Sequence, residues 1–260
     1  MSTFRFKRFS VTNERSPMKV GTDGVLLGAA VSLDSSVARV LDVGTGTGTI
    51  ALMVAQRLSD MGGDFMVEAI DIDAPSAEEA AANFAASPWA EHLRAGNVPL
   101  QRYSPSGAFD LIVSNPPYFD DSLQAPEARR NAARHISVAA EGGESLSYRE
   151  LAVFASDHLS SSGRLAIILP ADQEHALIRC MASYSLHLRR IIRIRTTPRK
   201  PVSRIIAEFG KGRCDPVASS ASPAPAAGSN SPAEETLTIQ DGGAYTPEYL
   251  AMTHEFYLFA

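Results

Sequence analysis

Cysteine is scarce in this chain. There are two, Cys180 and Cys214, with no metal-ligand spacing and no C-x-x-C pair. That excludes a disulfide-stapled scaffold and makes a reducing cytoplasm the expected compartment. Long apolar runs are also lacking, since none approaches the roughly 18 residues that a membrane span needs. The start, Met1-Ser2-Thr3-Phe4-Arg5-Phe6-Lys7-Arg8-Phe9, is positive but no apolar core follows it, so no signal peptide is expected. No cluster of His, Cys and Glu offers a metal site, and no internal repeat points to a solenoid. Positive charge is in deficit, with 24 Lys and Arg against 29 Asp and Glu and a net charge of −5. A basic nucleic-acid coat is excluded, although local charge still decides whether a surface meets RNA. What remains is a 260-residue chain, 45% hydrophobic, enough for one α/β domain with a full core.

Strand-like and helix-like segments alternate from Val37 to Leu169. Strands are expected at Val37–Val43, Phe65–Ile72, Leu93–Val98, Phe109–Ser114 and Leu165–Leu169. Helices are expected at Thr49–Ser59, Ala74–Ala86, Leu146–Ser160 and Ala171–Tyr184. Leu186–Arg195 and Arg204–Phe209 read as an antiparallel pair of further strands. This alternation means βαβ units and a mostly parallel sheet with helices on both faces. Four regions follow: a closing segment (1–36), a core (37–214), an insertion (215–235) and a terminal strand and helix (236–260). The insertion is rich in Ala, Ser and Pro, with too few apolar residues to order itself, so flexibility is expected. Thr246-Pro247 marks a helix start.

The first strand runs into Asp42-Val43-Gly44-Thr45-Gly46-Thr47-Gly48-Thr49. Glycine permits a tight turn and close approach to a ligand. The dinucleotide fingerprint G-x-G-x-x-G is not met, because Thr49 stands at its third glycine. The D-x-G-x-G-x-G form instead looks like the first motif of S-adenosylmethionine-dependent methyltransferases. Asp71 lies 23 residues past Gly48, about where an acid meets a ribose hydroxyl pair, with Ile72 beside it. Asp73 either joins the site or caps the next helix. Asn97 ends the third strand where this class often carries Asp near the adenine amine; its amide oxygen can still accept.

Asn115-Pro116-Pro117-Tyr118 follows the apolar strand Phe109–Ser114, at the end where open α/β sheets bind ligands. The Asn115 side chain and the Pro116 carbonyl offer two close acceptors, and Tyr118 offers a flat face. Together they suit a planar amine, in a nucleobase or a carboxamide. Transfer of a methyl group from sulfonium to nitrogen needs the nucleophile held in line, and no metal. Two acceptors each take one N–H, turn the lone pair toward the methyl group and favour the charge that develops. Pro116 and Pro117 stiffen the loop, and Tyr118 with Phe119 stacks on an extruded base.

Met18–Gly28 precedes the first strand. Thr22 and Asp23 within it are candidates to close over the cofactor, or to form a helix-capping turn. Phe4–Phe9 alternates aromatics with cations, and Arg189–Arg195 alternates cations with aliphatics, followed by Arg199, Lys200 and Arg204. Alternation on a strand gathers cations on one face, which binds phosphates or simply meets solvent. Candidate RNA contacts are Arg5, Lys7, Arg8, Arg134, Arg199, Lys200 and Arg204. Arg129, Arg130 and His135 lie near Arg134.

Phe6-Lys7-Arg8-Phe9, Lys19-Val20-Gly21-Thr22-Asp23-Gly24, the glycine turn, Ser87-Pro88-Trp89-Ala90-Glu91, Asn115–Tyr118 and Phe256-Tyr257-Leu258-Phe259 run in one order. Together they resemble the bacterial tRNA1(Val) adenine-37 N6-methyltransferase family, over nearly all of the chain except 216–235. The resemblance implies a Rossmann-like class I methyltransferase fold with a mostly parallel seven-stranded sheet. It also implies S-adenosyl-L-methionine as cofactor and a tRNA anticodon stem-loop as partner, methylated at N6 of adenosine 37. A monomer is expected. Methylation of guanine N2 in rRNA or of a protein glutamine uses a similar loop, and a non-catalytic RNA-binding module or a dehydrogenase is a more distant reading. Only about 36 residues precede the first strand, which disfavours the glutamine enzymes and their helical amino-terminal domain.

Overall fold

The computed structural model describes residues 2–117, 146–212 and 231–259. Among the described residues the central sheet is built from β3 (Arg39–Val43), β4 (Met66–Asp71), β5 (Leu93–Asn97), β6 (Phe109–Ser114), β7 (Leu159–Pro170), β8 (Leu186–Arg195), β9 (Arg204–Lys211) and β10 (Ala233–Thr238). Their order is β10-β8-β9-β7-β6-β3-β4-β5, and β9 alone runs antiparallel to both neighbours. Seven of these strands fit the expected alternation; the terminal strand expected from residue 236 forms as β10, starting already at Ala233, and makes the sheet eight-stranded by pairing in parallel with β8. Two small ribbons complete the strands: β1 (Thr3–Arg5) with β2 (Ser10–Thr12), and β11 (Gln240–Asp241) with β12 (Ala244–Tyr245).

Alternating strand residues feed two cores. Val40, Leu111, Val113, Ala166 and Ile168 face one side. There they meet α1 (Thr22–Ala30), α2 (Thr49–Asp60), α3 (Ala74–Ala85) and α6 (Pro247–Thr253). Leu41, Ile112, Leu165 and Ile167 face the other, under α4 (Tyr148–His158) and α5 (Glu174–Ala182). Parallel strands buried on both faces explain why these segments read as continuous apolar runs. Local chemistry sets the helix starts. Asp73 accepts from the Ser76 amide at 2.9 Å with a proline in the first turn of α3. Ser147 and Glu150 form a reciprocal capping box on α4, and Thr246 caps α6 ahead of Pro247.

Several expectations need correction. The helix expected to reach Ser160 ends at His158, and β7 takes over at Leu159 for 12 residues. Within that strand a Cβ at Gly163 would stand 2.7 Å from the Phe109 carbonyl oxygen, so the close approach to β6 there requires glycine. The insertion expected over 215–235 is shortened at its far end. Ala233–Glu235 lie in β10, held by ladder hydrogen bonds and by ion pairs to β8 rather than by apolar burial. In Met18–Gly28 the largely exposed stretch up to Thr22 leads into α1 with Gly21 at its N-cap, and Val25, Leu26 and Leu27 of that helix are buried.

Candidate active site

The carboxyl ends of β3 and β6 lie side by side, with Val43 paired to Ser114. The Ser114 hydroxyl donates to the Val43 carbonyl at 2.8 Å, which locks the two exits together. From β3 the chain enters the glycine turn and from β6 it enters Asn115-Pro116-Pro117. Gly44, Gly46 and Gly48 all adopt positive φ, +72°, +57° and +81°. Their roles differ. A Cβ on Gly44 would meet nothing within 4 Å, so the turn presents bare backbone to open space. A Cβ on Gly48 would lie 2.4 Å from the Phe84 ring, so that glycine lets α2 seat against α3.

A cavity of about 340 Å³ opens there. It is lined by the turn (Gly44, Thr45, Gly46, Thr47), by Met18 to Gly24, by Thr49 and Ile50, and by Asn115. Both motifs therefore face one space, and Thr22 and Asp23 share it. Pro116 is buried and Pro117 exposed. Tyr118 lies outside the described residues, as do Arg129, Arg130, Arg134, His135 and Cys214.

Two carboxylates stand under the turn. Asp42 is fully buried; Thr45 Oγ1 donates to its Oδ2 at 2.7 Å, and its Oδ1 has no hydrogen-bond partner. Burial, against the pull of the Thr45 hydroxyl, pushes its pKa up to about 7. Asp71 ends β4 and accepts from the Gly46 amide at 2.8 Å and the Asp73 amide at 2.9 Å. Burial raises its pKa too, against those two amides. Beside it Ile72 is 50% exposed, an apolar side chain left open at the strand end. Asn97 spends its amide nitrogen on the Asp71 and Ile72 carbonyls at 3.0 and 2.9 Å, leaving Oδ1 as its free acceptor. Asp73 is a helix cap, and, like Asp42, Asp71, Ile72 and Asn97, it does not itself line the cavity; Asp71 reaches it through the Gly46 amide.

The candidate RNA contacts divide. Arg199 and Lys200 are exposed in the loop between β8 and β9. That loop lies at the same sheet edge as Asn115, because Arg204 pairs with Pro170 at the end of β7 and with Ile194 near the end of β8. Arg204 itself is an internal partner: its Nε donates to Asp23 Oδ2 at 2.9 Å. Lys7 donates to the His254 carbonyl. Arg8 pairs with Asp60 at 2.5 Å and lies over the Trp89 ring at 5.3 Å. Over residues 4–9 the strand alternation is lost, since β1 stops at Arg5, but Phe6 and Phe9 turn into the core and Arg5, Lys7 and Arg8 stay exposed. The alternating arginines of β8 are likewise taken up, Arg190 by Glu208 and Glu235 and Arg193 by Glu174 and Glu234.

Sequence reasoning missed two residues that bear on the cavity, Glu79 and Asn83 on α3. Glu79 accepts the amides of Glu14, Arg15 and Ser16 at 2.7, 3.0 and 3.0 Å. Asn83 exchanges hydrogen bonds with the backbone of Thr12 and donates to the Thr47 carbonyl at 2.9 Å. The available signal was their i, i+4 spacing on a helix otherwise rich in alanine.

A family model described as "Methyltransferase small domain" matches residues 22–178. The tRNA1(Val) (adenine(37)-N6)-methyltransferase of Bacteroides fragilis is 38% identical over 260 residues, covering 98% of this chain and 97% of that protein. The protein of the same name from Porphyromonas gingivalis strain ATCC 33277 is 41% identical over 263 residues, covering 98% and 94%. Among solved structures, a predicted O-methyltransferase from Agrobacterium tumefaciens superposes with a TM-score of 0.60 at 17% identity, covering 90% of this chain and 96% of that one. A methyltransferase from Pyrococcus furiosus gives 0.54 at 20% identity, covering 78% and 89%. At such identities the structures speak for the fold alone: a Rossmann-like class I methyltransferase.

Proposed function

Because the chain belongs to the bacterial tRNA1(Val) (adenine-37-N6)-methyltransferase family, we propose that it methylates the N6 amine of adenosine 37 in the anticodon loop of that tRNA. It is an enzyme whose cofactor is S-adenosyl-L-methionine. Asn115 and the glycine turn face one cavity of about 340 Å³, and that observation carries the reading. The residues fit the cofactor. Gly44 offers backbone to open space, Asp71 offers a carboxylate to a ribose, and Ile72 offers an apolar face to an adenine. Asp42, fully buried and held by the Thr45 hydroxyl, supports the turn from beneath rather than lining the cavity.

When bound, the cofactor supplies an electrophilic methyl group on a sulfonium. The chain does the rest. The Asn115 Oδ1 and the Pro116 carbonyl each accept one N–H of the adenine amine, which is a weak nucleophile because its lone pair is spread into the ring. Held this way, the lone pair turns toward the methyl group, and the two acceptors favour the positive charge that builds on nitrogen. Tyr118 is the stacking partner of the flipped base in this reading. A single-stranded loop suits the enzyme because its bases cost little to unstack. Arg199 and Lys200 meet the phosphates near that loop. The protein acts as a cytoplasmic monomer, and among the described residues no helix is long and apolar enough to cross a membrane.

Incubation with labelled cofactor and transcripts of tRNA1(Val) and rRNA tests this, with mass spectrometry of the digested RNA. The expected product is N6-methyladenosine at position 37; label in rRNA but not tRNA would exclude the reading. Asn115→Ala should lower kcat about 10²- to 10³-fold, with cofactor affinity nearly unchanged.

A further inference from the structure

We propose that Glu79 and Asn83 are positioning residues that set cofactor affinity, by clasping the segment from Thr12 to Met18 over the glycine turn. The inference rests on the methyltransferase reading above and names a determinant of its cavity.

Glu79 is 3% exposed, and its two oxygens take three consecutive backbone amides. Three donors in a row on one carboxylate are an anion-binding nest turned inward, with the strap as the nest and α3 as the anion's support. Asn83, one turn along the same helix face, holds Thr12 through both its oxygen and its nitrogen. The same nitrogen reaches the Thr47 carbonyl, so one side chain joins strap and glycine turn. Beyond Ser16 the strap crosses Gly46. A Cβ at Gly46 would lie 3.5 Å from Ser16 Oγ and 3.8 Å from Met18. Lys19 Nζ then donates back to the Asn13 and Glu14 carbonyls at 3.1 and 3.2 Å, closing the loop. The next residues, Met18 to Gly24, are one wall of the cavity. None of this wall belongs to the central sheet. Its place over the turn is set by two side chains of α3 that touch neither the cavity nor Asn115.

Glu79→Gln is the sharpest variant because it keeps size and removes charge. An amide nitrogen there faces a backbone N–H, donor against donor, and loses part of the nest. Binding of S-adenosylhomocysteine to the full-length protein is measured by calorimetry, alongside melting temperature and tryptic cleavage after Arg15. In Glu79→Gln the affinity should fall about tenfold or more, with cleavage at Arg15 faster and no longer slowed by the analogue. Asn83→Ala should behave likewise, and kcat at saturating cofactor should stay near wild type in both. Failure of the wild type to bind the analogue would sink the methyltransferase reading itself. Wild-type binding with unchanged affinity in folded Glu79→Gln and Asn83→Ala would overturn the clasp alone. Variants that lose the fold, or lose kcat with affinity intact, would assign these residues to folding or chemistry and overturn it too.

Discussion

Gly48 and Gly62 separate two demands that a glycine can meet. Both have positive φ, +81° and +74°. At Gly62 a Cβ would find open space, so Gly62→Ala should cost only the left-handed backbone term, about 1–2 kcal/mol. At Gly48 the Cβ would also strike Phe84 at 2.4 Å, and the total should reach about 3–4 kcal/mol. Denaturant melts of the two variants check this; equal losses would show that Phe84 yields freely. Asp42 offers a pH test. Its folded pKa is raised, from 3.8 to about 7, so the folded state holds this proton more tightly than the unfolded chain. Its contribution to stability is therefore present below about pH 4 and is lost as pH rises toward about 7. Melting temperature between pH 5 and 8 should fall more steeply in wild type than in Asp42→Asn. Asp71, raised in the same direction, leaves a residual slope in the variant.

At the scale of elements, the periodic signals were readable and the long-range pairings were not. β6 occupies the expected Phe109–Ser114 and β8 the expected Leu186–Arg195, because an apolar run, or a β-rich run of aliphatics and cations bounded by turn residues, fixes such elements locally. The glycine turn, Asn115 and Thr22-Asp23 were legible as chemistry, and the fold brings them to one cavity. The fate of the cations was not legible. Alternating arginines on a strand look alike whether they meet phosphate or carboxylate. The carboxylates that take them, Glu174, Glu208, Glu234 and Glu235, come from three other elements. Two of the four, Glu234 and Glu235, sit at the edge of a stretch whose composition argued for disorder, so the early start of the expected terminal strand was hidden for the same reason. Removing one partner measures the point. Glu208 is 2% exposed, so Arg190→Ala leaves a buried carboxylate with its hydrogen bonds to Ser32 and only the more distant charge of Arg57, and should cost about 3 kcal/mol. Its RNA affinity, measured below the melting transition, should stay at the wild-type value; a large loss there would return β8 to the RNA surface.

For the whole molecule, the net charge of −5 makes phosphate binding a matter of a few placed cations. Arg39, Arg190, Arg193 and Arg204 are each paired with an acid in the body of the fold, and Arg8 and Arg15 with an acid at the exposed surface. Arg199 and Lys200 stand exposed on the rim, beside the Arg204–Asp23 pair that joins this loop to the cavity wall. With a net acidic body, exposed cations at the rim such as Arg199 and Lys200 are the places among the described residues where an RNA phosphate would be held. Each phosphate contact contributes about 0.7–0.9 to the slope of log affinity against log salt. The double variant Arg199→Ala/Lys200→Ala should therefore weaken binding of the anticodon stem-loop and reduce that slope by about 1.5. Affinity for S-adenosylhomocysteine should not change, since neither side chain lines the cavity. Titrations from low to moderate salt, with wild type and variant in parallel, decide it. An unchanged slope would mean that the RNA is held by cations elsewhere, and the 196–203 loop would then be a connection and nothing more.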